Sequence, residues 1–180
     1  MSPAAYLPQR GTPRAGETDP AKLPLPANLE VEQALLGSIL VNNEAHGRVA
    51  GFLRPEHFFE AVHREIYTIA GQMITGKKPV TPGTIASFLP AKLEIAPGVP
   101  LRAYLAQLAA NATTVVNAVD FALVIVNLAQ RRELRLIGED LIVDGTVTEG
   151  QVDIMPGVEH ASARLFELGN EITQLAGALN

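Results

Sequence analysis

The stretch closest to a chemical signature is Gly71-Gln-Met-Ile-Thr-Gly76-Lys77-Lys78. It keeps the spacing of a phosphate-binding loop up to its last position. There a Ser or Thr hydroxyl would hold magnesium, and Lys78 stands instead. Phosphate binding also needs backbone amides at the start of a helix. This stretch closes an apolar-periodic segment, so it reads as a helix C-cap followed by two solvated lysines. The four histidines are His46, His57, His63 and His160. His57 and His63 do not share one face of a helix, so no metal pattern emerges. His63, beside Arg64 and Glu65, reads as a structural or exposed helix residue. No Ser-His-Asp arrangement can be drawn, and Glu139-Asp140 reads as a solvated face. The one basic cluster is Arg131, Arg132 and Arg135. It reads as a solvent-facing patch where a helix leaves the core, with a partner surface as the sharper alternative.

Catalytic residues, cofactors and metals are therefore not expected, and the elements that carry these side chains must explain them. The chain has 180 residues, 47% hydrophobic and 18% charged, enough for one domain with a real core. Aromatics are 5%, so Leu, Ala, Val and Ile fill that core. Cysteine is absent, which removes disulfides and fits a reducing cytoplasm. No apolar run approaches membrane-spanning length; the longest is Phe121 to Val126. The net charge is −5, against the basic excess of domains that grip nucleic acid alone, so no tight direct DNA binding is expected.

Residues 1–27 are rich in Pro, Gly and Ala without apolar period and are expected to be a disordered tail. Asn28 then caps a first helix, with Glu30 and Glu32 in its opening turn. Asn43 is expected to cap a short second helix from Glu44 to Phe52. A longer helix runs from Glu60 to Thr75 and stops at Gly76. Thr81-Pro82 opens another to Leu89. Pro90 to Pro100 is a connector, and Leu101, Tyr104, Leu105 and Leu108 stripe the next helix. The fold class is thus all-α: a compact head of about five helices over 28–112, then a long antiparallel helical hairpin over 113–180.

The hairpin helices run from about Val115 to Asp144 and from Asp153 to Leu179, with a polar loop from Thr146 to Val152. Val119 to Ala129 is apolar on nearly every face, and such a helix must be covered on several sides. In the last helix, Ile154, Val158, Ala161, Leu165, Leu168, Ile172, Leu175 and Leu179 alternate steps of four and three. That is a coiled-coil kind of seam. Leu134, Ile137 and Leu141 on the long helix join Leu165, Leu168, Ile172 and Leu175 as the candidate self-association seam.

The segment Asn28-Leu-Glu-Val-Glu-Gln-Ala-Leu-Leu-Gly-Ser-Ile-Leu-Val-Asn-Asn-Glu-Ala45 closely resembles the opening helix of the N-terminal domain of DnaB-type replicative helicases. Leu53-Arg-Pro-Glu-His-Phe-Phe59, His63-Arg-Glu-Ile-Tyr67, Gly76-Lys-Lys-Pro-Val80 with Thr84-Ile-Ala86, and Tyr104-Leu-Ala-Gln-Leu108 follow in the family's order. Asn117-Ala118 and Arg132-Glu-Leu134 extend the likeness to about Gly177. Met155-Pro156-Gly157 departs from the family's acidic, Leu-rich start to the last helix.

The resemblance implies a collar domain whose hairpin pairs with a neighbour's, giving a trimer of dimers on a hexameric ring. It implies recruitment of primase and, in some systems, of a helicase loader, at a bacterial or phage replication fork in the cytoplasm. ATP, magnesium and strand separation would belong to a motor region that this chain lacks. A different class of protein, a stand-alone phage or plasmid adaptor that copies the collar and modulates a host helicase, fits the same residues.

Overall fold

The structure, a computed structural model, describes residues 23–90, 92–112, 117–146 and 153–178. Seven α-helices are present among them: α1 (Leu29–Val41), α2 (Glu44–Val49), α3 (Ala61–Thr75), α4 (Pro82–Ala86), α5 (Leu101–Ala110), α6 (Ala118–Thr146) and α7 (Met155–Ala178). A 3-10 turn spans Pro55–His57, and strands β1 (Glu94–Ala96) and β2 (Val99–Pro100) precede α5. The all-α class holds, with one small addition. The Pro90 to Pro100 connector carries an antiparallel β-hairpin, turned through Gly98 at φ 77°.

Local chemistry sets several helix ends. The Asn28 side chain accepts from Val31 N–H at 3.1 Å and so caps α1. Thr81 and Thr84 cap each other at the start of α4, each hydroxyl taking the other's backbone N–H. That helix ends at Ala86, short of Leu89. The start of α2 differs from expectation: Asn42 Oδ1, not Asn43, accepts from Glu44 N–H at 3.0 Å. Asn43 instead exchanges two hydrogen bonds with the backbone of Val80, both 3.0 Å, and pins the distant loop after α3.

The end of α3 disposes of the phosphate-loop reading. Gly76 is the C-cap, and Lys78 N–H returns to Met73 O at 2.8 Å. The left-handed residue at this stop is Lys77, φ 55°, at the position that usually favours glycine. Carbonyls, not amides, finish the segment, so no anion cradle exists there.

The head core gathers Leu35, Leu36 and Ile39 of α1, Phe58, Ile66 of α3, Ile85 of α4 and Leu105 of α5. Ala118, Ala122, Ile125 and Val126 place the first part of α6 in that same core. Helix α6 therefore belongs to the head as well as to the hairpin, and α1, α2 and the 3-10 turn all pack on it. This explains why Val119 to Ala129 is apolar all round. Beyond the head, α6 runs on beside α7. The loop expected over 147–152, the expected start of the long helix before 117, and Leu179 lie outside the described residues.

Gly37 sets the spacing of α1 and α5. A Cβ there would run into the Leu108 carbonyl oxygen, a backbone atom that cannot swing aside. Gly37→Ala gains about 1 kcal/mol of helix propensity. Overpacking against backbone costs roughly 1–3 kcal/mol or more. The expected net result is a loss of stability of about 1–2 kcal/mol by urea denaturation. An unchanged or raised midpoint would contradict this close approach.

Candidate interaction surface

The buried polar groups come first, because a catalytic centre would be found among them. Glu32 and His63 are 2% and 1% exposed. The Glu32 carboxylate lies 2.6 Å from His63 Nδ1, and His63 Nε2 lies 2.5 Å from the Tyr104 hydroxyl. Glu32 also accepts from Phe59 N–H at 2.6 Å and Glu60 N–H at 3.4 Å, so it caps the chain entering α3. Gln33 Nε2 donates to the Tyr104 oxygen at 3.2 Å. A carboxylate, imidazole and hydroxyl in line suggest a proton relay. This one ends on an amide of the protein itself, inside the head. Burial raises the Tyr104 phenol above its ordinary value, which keeps it protonated. The network ties α1, α3 and α5 together. His63, read from sequence as structural or exposed, is structural.

The basic cluster does not form a patch. Arg131 is exposed and bonds Asn127 Oδ1 at 2.8 Å, one turn back. Arg132 is only 9% exposed. It donates to Pro26 O at 2.8 Å and His57 O at 2.6 Å, and its guanidinium lies 5.5 Å from the centre of the Phe59 ring. Arg135 donates to Leu23 O at 2.5 Å, to Pro24 O at 3.1 Å and to Glu139. Two of the three cations thus grip a strap, residues 23–26, which the tail expected over 1–27 gives up to the fold. Residues 1–22 lie outside the described residues. Prolines suit this strap, since they lack an N–H and still offer carbonyls.

His57 sits beneath the same junction. Its Nδ1 accepts from Arg54 N–H at 3.1 Å. Burial, and then the Arg54 guanidinium, hold the imidazole well below its ordinary value, at about 4.

The hairpin surface is where the candidate seam falls, and the structure splits it in two. Ile137 of α6 and Ala161 and Leu168 of α7 are buried, and Leu175 packs partly against the head core. These residues close the hairpin on itself and on the head. Arg164 of α7 adds a bond to Glu133 Oε1 at 2.8 Å and one to Asp140 Oδ2 at 2.5 Å across to α6. The other members, Leu134, Leu141, Leu165 and Ile172, are 40–55% exposed. Val158, Leu165 and Ile172 recur every seven residues and so share one face of α7. Leu134 and Leu141 do the same on α6. Ile142, Val143, Ile154 and Met155 add exposed apolar area near the tip. Exposed apolar rows of this kind make this face of the hairpin the candidate interaction surface.

Sequence spacing located both rows but could not separate them. A heptad seam in a lone hairpin has one edge turned inward and one outward, and the steps of four and three are the same for both. The Glu32 network was missed because its partners lie 31 and 41 residues apart. Glu32 looked like an ordinary acid in a first turn.

Among the described residues, no group of three His, Cys, Asp or Glu could hold a metal ion, and no helix is long and apolar enough to cross a membrane. What the fold offers is a helical head with a packed core and a half-covered hairpin. The family model described as the DnaB-like helicase N terminal domain matches residues 24–127, and the chain belongs to that family.

A replicative DNA helicase DnaB from Rickettsia felis is 40% identical over 148 residues, which cover 82% of this chain and 30% of that protein. One from Geobacillus stearothermophilus is 27% identical over 145 residues, covering 79% and 31%. The chain thus spans about a third of the length of these curated relatives. Among solved structures, the N-terminal domain of DnaB helicase from Mycobacterium tuberculosis superposes with a TM-score of 0.67 at 25% identity, covering 80% of this chain and 99% of that one. A DnaB-like replicative helicase, described with its interactions with primase, superposes at 0.59 with 26% identity, covering 78% and 31%.

Proposed function

We propose that this chain acts as the amino-terminal collar of a replicative DNA helicase. The observation that carries the reading is the uncovered row Val158, Leu165 and Ile172, on a chain of the DnaB N-terminal family. The row seats against the same hairpin of another copy, so that dimers form and three of them build a hexameric collar. The assembled collar recruits primase and, in some systems, a loader. Support for primase comes from the solved relative whose interactions with primase are described. ATP hydrolysis, magnesium binding and strand separation belong to a motor region outside these 180 residues, and the setting is the cytoplasmic replication fork. The collar itself binds no cofactor and makes no tight contact with DNA.

Sedimentation equilibrium of the purified chain, followed by titration with its cognate primase, tests the reading. Dimers or larger species at high micromolar concentration, with saturable primase binding, are expected. A chain that stays monomeric and ignores primase contradicts it.

A further inference from the structure

Helix α7 packs along α6 but is held to the head far less firmly than α6 is. Helix α6 gives the head core four buried residues, Ala118, Ala122, Ile125 and Val126. Among the described residues of α7, only the half-buried Leu175 reaches that core. The buried positions of α7 are Ala161 and Leu168. Near the C-terminal end of α7, an ion pair joins Glu171 to Arg54 of the head.

That ion pair covers an imperfect junction. His57 is 5% exposed, and its ring is fixed by the Arg54 N–H bond to Nδ1. In the neutral ring the proton therefore sits on Nε2. Neither His57 Nε2 nor Gln130 Nε2 meets a hydrogen-bond acceptor, although both atoms are buried. Glu171 Oε1 stops 3.7 Å from His57 Nε2, beyond hydrogen-bond reach. Closing α7 onto the head thus removes two donor nitrogens from water in exchange for one ion pair with a half-exposed arginine. Buried donors without acceptors oppose closure, and an exposed ion pair favours it only weakly.

The surroundings leave room for movement. Two clefts, about 250 and 230 Å³, flank the pair, and both are lined by Arg54, His57, Gln130 and Glu171. The charged groups facing the junction are Arg54 and Glu56 of the head, Arg132 and Glu133 of α6, and Arg164, Glu167 and Glu171 of α7. Arg132 is spent on the strap and His57, and Arg164 on Glu133 and Asp140. Arg54 is therefore the cation that draws α7 to the head.

We propose that the Arg54–Glu171 contact is a releasable latch, which frees the end of α7 from the head while the head and α6 stay folded. The domain then has two head-to-hairpin arrangements, one latched and one open. In the open one, His57 and Gln130 recover water.

Hydrogen exchange on the whole 180-residue chain, run at two protein concentrations, tests this. Arg54→Glu and Glu171→Arg are each expected to speed exchange over 168–176 about tenfold, with α1 unchanged. The charge-swapped double variant should return to within about threefold of the parent. Gln130→Leu, which removes one stranded donor, should slow exchange over the same segment. The latch is overturned if the single variants leave 168–176 unchanged or loosen α1 equally. It is also overturned if the double variant fails to recover, or if Gln130→Leu has no effect or speeds exchange. An effect that vanishes on dilution overturns it too, because the contact would then act through another copy.

Discussion

Replacing both Leu165 and Ile172 with aspartate is expected to weaken self-association by at least about a hundredfold while the melting temperature barely moves. The two side chains are 43% and 48% exposed in the single chain, so their removal creates no cavity. Surface changes of this kind usually alter stability by less than about 0.5 kcal/mol. In an assembly the exposed half of each side chain is buried, contributing about 0.7–1.5 kcal/mol, and in a dimer each side chain occurs twice. Losing both, and placing charge in an apolar seam, exceeds the 2.8 kcal/mol or so that corresponds to a hundredfold change. Leu168→Asp is the informative contrast. Leu168 is 8% exposed and closes the hairpin, so its aspartate variant should lose folding stability first. Sedimentation with parallel calorimetry reads both quantities. If the Leu165/Ile172 variant associates as the parent does, copies meet through another surface.

Glu32→Ala is expected to be the most damaging single change in the head. It takes the acceptor from His63 Nδ1 and from the backbone N–H groups of Phe59 and Glu60. Each buried donor left without an acceptor costs about 1–3 kcal/mol. Water entering the space offsets part of this, and the longest bond, at 3.4 Å, contributes least. A net loss of about 3–5 kcal/mol follows. For a domain of this size, that lowers the melting temperature by roughly 6–20 °C. Glu32→Gln should fall between, since one carbonyl oxygen remains to accept. A drop under about 2 °C for the alanine variant would mean that the network does not hold the head.

The parts of this fold that were legible in the sequence are those fixed within a turn or two. Asn28 and Thr81 announce helix starts because their side chains bond backbone three residues on. The stripe Leu101, Tyr104, Leu105 and Leu108 is buried as its spacing requires. Side chains with remote partners were not legible. Asn43 reads as a cap, yet its amide reaches Val80. Arg132 reads as a surface cation, yet its acceptors lie 106 and 75 residues away. The seam falls between these cases. Period alone marks Leu165 and Leu168 equally, and only the packing of α7 on α6 and the head shows which one stays uncovered.

The strap held by Arg132 has a consequence for the order of events during synthesis. Pro26 leaves the ribosome early, but the guanidinium that receives its carbonyl is made 106 residues later. At about 5–20 residues per second, the strap waits some 5–20 seconds for its partner. Closing so long a loop is also intrinsically slow. The strap is therefore made long before it can be seated, and until α6 has emerged the nascent head stands open along the side that the strap will cover.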